Sequence, residues 1–304
     1  MIVNILKQPN WNIANVTEIV CSMSASGSNK QGARSMSVTL LKNDINIQCG
    51  DWLQVVDENY DFVGQVLKVS KEDNESTISI ACEDTLIHMT NSTCNKVVNS
   101  TPEAIATEFC NYFGTAIGNI ESTGIATGNK AYKSKTYFDI LTDLYGSAYK
   151  IVMKGAYFYI YKKGHIVDYV LDDSNISNIK YEEDATDIVN RIVKYNDDGT
   201  IEKVYDDDNI GIMAIFEKIE SSKSENATTI INGRHKELVS IKNEMVVSAI
   251  GDNACVSGEY IRMYDSINKL IIIYEIVNDK HTWSDKTHTM DLTLEFKEVS
   301  NEWS

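Results

Sequence analysis

The sequence predicts a mainly β protein with a small α/β insert, laid out as two related β-barrel domains. Three observations predict it. Short runs of alternating apolar and polar residues fill both ends of the chain, bounded by Gly, Ser, Asn and Asp. In the middle the apolar period lengthens to that of a helix. One β-rich passage near the N-terminus is echoed, in order, near the C-terminus.

Taken along the chain, TEIVCSMSA (17–25) and ARSMSVTLL (33–41) flank the turn-rich SGSNKQG and predict a hairpin. DWLQVVD (51–57), FVGQVLKVS (62–70) and STISIACED (76–84) follow as strands at regular spacing, the signature of a barrel or sandwich. Ser100-Thr101-Pro102-Glu103 matches a capping box with Pro near the first helical position. Ile105, Phe109, Tyr112 and Phe113 then make an apolar stripe that Gly114 can end. A second helix is expected from Ser134 to about Tyr149, where Tyr137, Ile140, Leu141, Leu144, Tyr145 and Ala148 recur at helical spacing. IVMKGAYFYIYKKG (151–164) predicts a hairpin around Lys154-Gly155, and 187–207 another with Asp198-Gly199 at its turn. The polar stretch 220–238 is a weak helix candidate interrupted by Asn232-Gly233. Strands resume with EMVVSAIG, EYIRMYD, KLIIIYEIVND and HTMDLTLEF. The layout is thus a first β domain over 1–94, an α/β module over 95–178 and a second β domain over 179–304.

Composition limits function. The 304 residues carry 44 acidic against 28 basic side chains, a formal charge of −16. That sign disfavours specific nucleic-acid binding, which relies on Lys and Arg displacing counterions, and disfavours an anionic membrane surface. No segment approaches 18 consecutive apolar residues, and MIVNILKQPNWN lacks the basic start and apolar run of a signal peptide, so synthesis in the cytoplasm is expected. The six cysteines (21, 49, 82, 94, 110, 255) show no CxxC spacing and are expected to be reduced and mostly buried.

The internal repeat is the most informative feature. GDWLQVVD (50–57) corresponds to GEYIRMYD (258–265), 208 positions on, and TISIACE (77–83) to TMDLTLE (289–295), 212 positions on. The second copy therefore holds four extra residues between these strands, expected in or beside HTWSDKTHTM (281–290). Gly50 pairs with Gly258 and Trp52 with Tyr260 in this alignment; packing between elements, or contact with a neighbouring subunit, are the two roles for the aromatic pair. Two similar β domains per chain have a symmetry consequence, because a trimer presents six similar units in a ring.

GDWLQVVDENYDFVGQVLKVS with STISIACEDTLIHM, TPEAIATEFCNYFGTAIGNIESTG, KSKTYFDILTDLYGSAYK, and VSAIGDNACVSGEYIRMYD with HTWSDKTHTMDLTLEF together resemble, in order and spacing, the XkdQ/YqbQ-type baseplate hub proteins of contractile phage tails and phage-tail-like bacteriocins. These are similar in fold to phage tail hubs and to the N-terminal hub of type VI secretion spike proteins. The resemblance implies a homotrimer whose six barrels stack on the hexameric tail tube and hold a trimeric spike on the other side, among other baseplate proteins. It implies a place in the virion tail baseplate, no enzymatic activity and no cofactor. If the barrels line a channel, negative charge would keep DNA from adhering to the wall.

The chemical candidates are weighed against this. His281 and His288 are the low-ranking metal candidates. A turn at Asp285-Lys286 would pair Trp283 with His288 and His281 with Met290, with Met290, Leu292, Leu294 and Phe296 facing the core. Zinc would need a third and usually a fourth ligand, which the sequence does not offer, so packing about Trp283 is the favoured role. The acidic runs at 182–187 and 205–209 lack calcium-loop spacing. The rival function is a carbohydrate-binding or cell-wall-active β protein, which as a glycosidase would need two carboxylates across a cleft.

Overall fold

The structure is a computed structural model describing all residues except 30, 43, 58–59, 72–73, 75, 127, 185–190, 196–197, 207–216, 221–241, 285–286 and 301–304. It is mostly β. The first stretch holds β1 (Ile2–Lys7), β2 (Asn12–Asn15), β3 (Val20–Ser28), β4 (Ser35–Leu41), β5 (Trp52–Asp57), β6 (Tyr60–Lys71) and β7 (Thr77–Asp84). The middle holds α1 (Ile87–Asn91), β8 (Thr93–Val98), α2 (Pro102–Phe113), β9 (Ala116–Ile120), β10 (Lys130–Thr136), α3 (Tyr137–Tyr145), β11 (Tyr149–Lys154) and β12 (Tyr157–Lys162). The last stretch holds β13 (Ile166–Leu171), β14 (Ile176–Asp184), β15 (Arg191–Tyr195), β16 (Ile201–Asp206), β17 (Glu217–Glu220), β18 (Lys242–Ile250), β19 (Tyr260–Asp265), β20 (Leu270–Ser284) and β21 (Thr287–Ser300).

The chain divides into two compact units, Met1–Ile179 with Val246–Ser304, and Lys180–Met245. In the smaller unit β15 pairs antiparallel with β16 and parallel with β17. Asp198 closes the turn by accepting the Thr200 N–H at 2.9 Å, while Gly199 takes φ 82°. The polar stretch 220–238 lies, but for Glu220, outside the described residues.

The main sheet has thirteen strands. Its path runs β14-β18-β21-β20-β3-β4-β7-β6-β5-β1-β2, with β19 on β20 and β13 on β19. The two copies therefore share one strand order: β3-β4-β7-β6-β5-β1 and β14-β18-β21-β20-β19-β13. They differ at the last step, where β1 is antiparallel to β5 but β13 parallel to β19. Equivalent backbone bonds repeat as well. Lys42 N–H donates to Ser76 O and Gly251 N–H to His288 O, both at 2.8 Å. The strands bury alternate residues such as Val3, Ile5, Met36, Val38, Leu40, Leu53, Val55, Ile78, Ile80 and Cys82 in one core that Trp283 joins from the second copy.

Register relocates the four extra residues. The β5–β6 hairpin closes on Asp57 opposite Tyr60, with two residues between; the β19–β20 hairpin closes on Asp265 opposite Leu270, with four. Beyond it, Lys71 opposite Ile78 encloses six residues where His281 opposite Met290 encloses eight. Only two of the four extra residues thus lie in HTWSDKTHTM, because the other hairpin absorbs the rest.

In the middle, α2, α3 and the β11–β12–β9 sheet enclose Ile105, Phe109, Ile140, Leu141, Phe158 and Ile160. The N-cap of α2 is Thr101, whose hydroxyl accepts the Ala104 N–H at 3.3 Å, with Pro102 in the first turn. Glu103 does not reach back to close a capping box; it takes the N–H and hydroxyl of Thr123 instead. Gly114 ends the helix at φ 67°. The helix expected from Ser134 begins at Tyr137, because 130–136 pairs as a strand with β8 and Thr136 caps the helix by accepting the Asp139 N–H at 2.9 Å. It stops at Gly146, and Tyr149 opens β11. Among the described residues no helix is long and apolar enough to cross a membrane.

Candidate functional site

Two features stand out as built rather than merely packed: a pair of glycine corners, and the junction where β3 of the first copy meets β20 of the second. At the first corner Gly50 (φ 94°) donates its N–H to Val66 O at 2.9 Å, and Val66 N–H returns to Asp51 O at 2.8 Å. At the second, Gly258 (φ 85°) donates to Ile276 O at 2.7 Å, and Ile276 N–H returns to Glu259 O at 2.9 Å. Left-handed backbone favours glycine at both, since a Cβ there crowds the carbonyl. Each corner sits beside a bulge, between Val66 and Lys68 or between Ile276 and Asn278.

Each corner also carries a buried carboxylate. Asp51 is fully buried and accepts the N–H groups of Gln48 and Gln8 at 2.9 and 3.1 Å, with Lys7 as ion-pair partner. Glu259 meets Lys150 at 3.4 Å, Tyr161 Oη at 2.8 Å and His165 Nδ1 at 3.1 Å. Burial pushes the Glu259 carboxyl up, but these partners outweigh it and hold it below its ordinary range. Burial also brings Lys150 down to about 8. Half-buried Trp52 and Tyr260 follow the glycines. Trp52 meets the exposed Trp11 ring at 6.1 Å, whereas Tyr260 donates its N–H to His165 O.

At the junction, β3 pairs antiparallel with β20 from Ser22 opposite Ser284 to Ser28 opposite Asn278. Arg34, just past the β3–β4 loop, is held by reciprocal bonds: its N–H donates to Asp84 Oδ2, and Asp84 N–H donates to Arg34 O, both at 3.0 Å. Its guanidinium then crosses to the second copy and grips Asp279 with two bonds, 2.8 and 2.5 Å. Asp279 also accepts the Ser257 N–H at 2.6 Å. Gly27 stands opposite Asp279, and a Cβ there would lie 2.2 Å from the Arg34 Nη1. A glycine is required because the guanidinium lies over that backbone. Burial alone would raise the Asp279 carboxyl; the charge and hydrogen bonds of Arg34 outweigh it and keep Asp279 ionised. Asp84, by contrast, is pushed up to about 7 by burial despite its two N–H donors.

His281, Trp283 and His288 complete the junction. Trp283 stands opposite His288 and His281 opposite Met290. The proposed turn residues, Asp285 and Lys286, lie outside the described residues. His281 Nε2 lies 2.9 Å from Cys255 O, an acceptor only, so that nitrogen carries the proton. His281 Nδ1 must then accept from His288 Nε2, 3.0 Å away. The Trp283 ring stacks on both imidazoles, at 5.8 and 4.6 Å. Burial lowers both histidines, and His288 reaches about 4 with the His281 charge adding to the effect. Among the described residues no group of three potential ligands surrounds them. Met290, Leu292 and Leu294 are buried, but Phe296 is 57% exposed. Past the core edge and beside the bulge between Ile273 and Tyr274, it packs edge-on against Tyr274 instead.

Sequence reasoning passed over Arg34, Asp84, Asp279, Lys150 and Glu259. A signal existed for Asp279: a carboxylate on the inward phase of the strand, in step with His281 and Trp283. All six cysteines are free; Cys82, Cys110 and Cys255 are buried, but Cys21 and Cys49 are exposed. A cavity of about 410 Å³ is lined by Arg34, Tyr60, Asp84, Lys150, His165 and Glu259, among others. Its two buried carboxylates are occupied, Glu259 by cations and a phenol and Asp84 by backbone N–H groups.

Comparison with known proteins agrees with this architecture. A 43 kDa tail protein of prophage MuSo2 from Shewanella oneidensis superposes with a TM-score of 0.73 at 13% identity, over 97% of this chain and 98% of that one. A tail protein from Neisseria meningitidis MC58 gives 0.67 at 13% identity, over 98% and 96%. An E. coli component of the type VI secretion system, described as structurally similar to the T4 tail proteins gp27 and gp5, gives 0.57 at 10% identity, over 92% and 74%. No curated protein sequence matches significantly. The YQBQ-like family model matches residues 23–295, which takes in both glycine corners, the α/β module and the β3–β20 junction, and the chain therefore belongs to the YQBQ-like family.

Proposed function

We propose that this protein is a structural baseplate hub of a contractile tail, acting as a homotrimer that adapts a hexameric tail tube to a trimeric spike and starts tube assembly. One observation carries the reading: two β copies of the same strand order, with matched glycine corners, are joined edge to edge within one chain. Three such chains supply six near-equivalent units, which is what a three-fold to six-fold adaptor needs. Likeness in fold to phage tail proteins and to a type VI secretion component supports the class. In this reading 1–94 and 179–304 are the two ring-forming domains, the second drawing also on β13 and the start of β14, and the rest of 95–178 is the module between them. Gly50, Trp52, Gly258 and Tyr260 are structural corners close to subunit contacts, and His281, Trp283 and His288 are packing groups rather than chemical ones. The work is geometric, so no cofactor or catalytic step is assigned. The charge of −16 suits a channel wall that repels DNA.

The test is mass in solution, by light scattering, of the protein alone and with its tube and spike proteins. A trimer, alone or with either partner, is expected; a monomer with both partners present would sink the reading. A cell-wall turnover assay tests the rival directly, since hydrolysis by the purified chain would displace the non-enzymatic role.

A further inference from the structure

The β3–β20 ladder fixes the spacing and register of the two copies, but neighbouring strands in a sheet can differ in twist by roughly 25°. The Arg34–Asp279 pair does not remove that freedom. Asp279 stands on the ladder itself, opposite Gly27, so the pair acts with little lever arm. Nor is the space beside the junction packed solid. The cavity of about 410 Å³ lies there, lined by Tyr60 and Phe62 of the first copy, Val152 and Met153 of the module, and Ala254 and Val256 of the second copy. Close packing fixes geometry, and a hollow of this size does not.

The β11–β12 hairpin spans that hollow. Its base belongs with the second copy. From Lys162 the chain runs through His165 directly into β13, and Lys150, Tyr161 and His165 converge on Glu259 at the second glycine corner. Lys163 reaches Glu275 at 3.1 Å, and His165 O accepts the Tyr260 N–H at 2.9 Å. The tip of the hairpin belongs with the first copy. Gly155 donates its N–H to Asp61 O at 3.1 Å and forms an isolated parallel bridge with Phe62. Gly155 is buried and takes φ 57°, and a Cβ there would lie 3.3 Å from the Asp61 Cβ. The tip approaches β6 this closely because residue 155 has no side chain.

We infer that the β11–β12 hairpin is a strap that sets the angle between the two β copies, with Gly155 on Asp61 as its working end. Leverage is the reason. Asp61 lies on β6, three strand spacings from β3 in the order β3-β4-β7-β6, about 14 Å along the sheet. A slip of one residue there, about 3.3 Å, turns one copy against the other by about 13°. Each unit in a ring of six spans about 60°, so that slip is about a fifth of its share. The ladder and its ion pair hold the copies together, and the strap decides how they are inclined. The consequence for ring closure rests on the trimeric reading above.

Distances between two spin labels in the full chain test this. Ser79 and Glu298 are exposed, on β7 and β21 of different copies. Ser79→Cys and Glu298→Cys are labelled in a background with Cys21→Ser, Cys49→Ser and Cys94→Ser, then diluted into unlabelled protein so that only distances inside one chain are read. One narrow distribution is expected. Gly155→Val, which puts a β-branched side chain on the left-handed tip, should widen it at least twofold and cut the yield of trimer with tube and spike proteins several-fold by light scattering. Should that variant not fold, Lys150→Met with Glu259→Gln releases the base and should widen the distribution likewise. A folded strap variant with an unchanged distribution, even one that melts earlier, overturns the strap, while a trimeric parent leaves the hub reading standing. A parent that stays monomeric with both partners, yet widens when the strap is released, keeps the strap and sinks the hub reading.

Discussion

Removing either partner of the Arg34–Asp279 pair should be among the most damaging single changes in this chain. The two groups are 245 positions apart in sequence and join the copies through two charge-assisted bonds. The Asp279 side chain is fully buried and that of Arg34 is 11% exposed. Asp279→Ala leaves a guanidinium buried without its counter-charge and deprives the Ser257 N–H of its acceptor. Arg34→Met leaves a carboxylate in the same place. Breaking a buried pair from one side costs about 3–5 kcal/mol, because the orphaned charge keeps its desolvation penalty. Replacing both partners by apolar groups removes that penalty, so Arg34→Met with Asp279→Leu should cost far less than the two single changes together. The coupling should be about 2–3 kcal/mol. Urea unfolding followed by tryptophan fluorescence reads this, since Trp283 lies in the same junction. With an m-value of roughly 3 kcal/mol/M, each single variant should lower the midpoint by about 1 M or more. Single costs under about 1 kcal/mol, or single costs that simply add in the double variant, would refute the reasoning.

Three further outcomes follow from the same geometry. His281 and His288 are held below their ordinary value of 6.5, His288 at about 4, so the unfolded chain binds more protons between those limits. Stability should therefore fall as pH drops from about 6.5 to 4, by on the order of 1–2 kcal/mol for His288 once its partial exposure is discounted. His288→Asn should flatten that part of the melting-temperature profile, although Asp279, Arg34, Asp252 and Asp57 also act on the pair; an unchanged profile would refute the neutral-pair assignment. Gly50→Ala and Gly258→Ala should each cost about 1–2 kcal/mol from left-handed backbone alone. Gly258→Ala should cost more in thermal melts, because its Cβ would meet Lys150 Cδ at 2.8 Å while that of Gly50 meets open space; equal melting temperatures would argue against it. Thr101→Ala should lose about 1 kcal/mol through the α2 cap in urea melts, and a loss well under about 0.5 kcal/mol would argue against Thr101 as the cap.

Period, turns and repetition were legible in the sequence because they are local or self-referential. Alternation placed the strands, since burial on one face of a sheet has a period of two. Gly50 and Gly258 stood at the same place in two similar strings, and both adopt positive φ. The Trp283–His288 pairing followed from a short hairpin. What the sequence alone left open is everything that depends on which edge meets which. The extra residues went to two hairpins rather than one, because a loop of four fits the β19–β20 turn as readily as a loop of two fits β5–β6. Ser134 joined a strand because β8 offered it a ladder, which outweighed a helical apolar pattern. Arg34 and Asp279 carry no mutual signal at a separation of 245 positions, yet pairing β3 with β20 brings them into contact in a site from which water is largely excluded. Only there does an ordinary ion pair become a buried clasp. The amino-acid order specified two copies of one β design; tertiary structure decided that they share a sheet, because the edges of β3 and β20 pair.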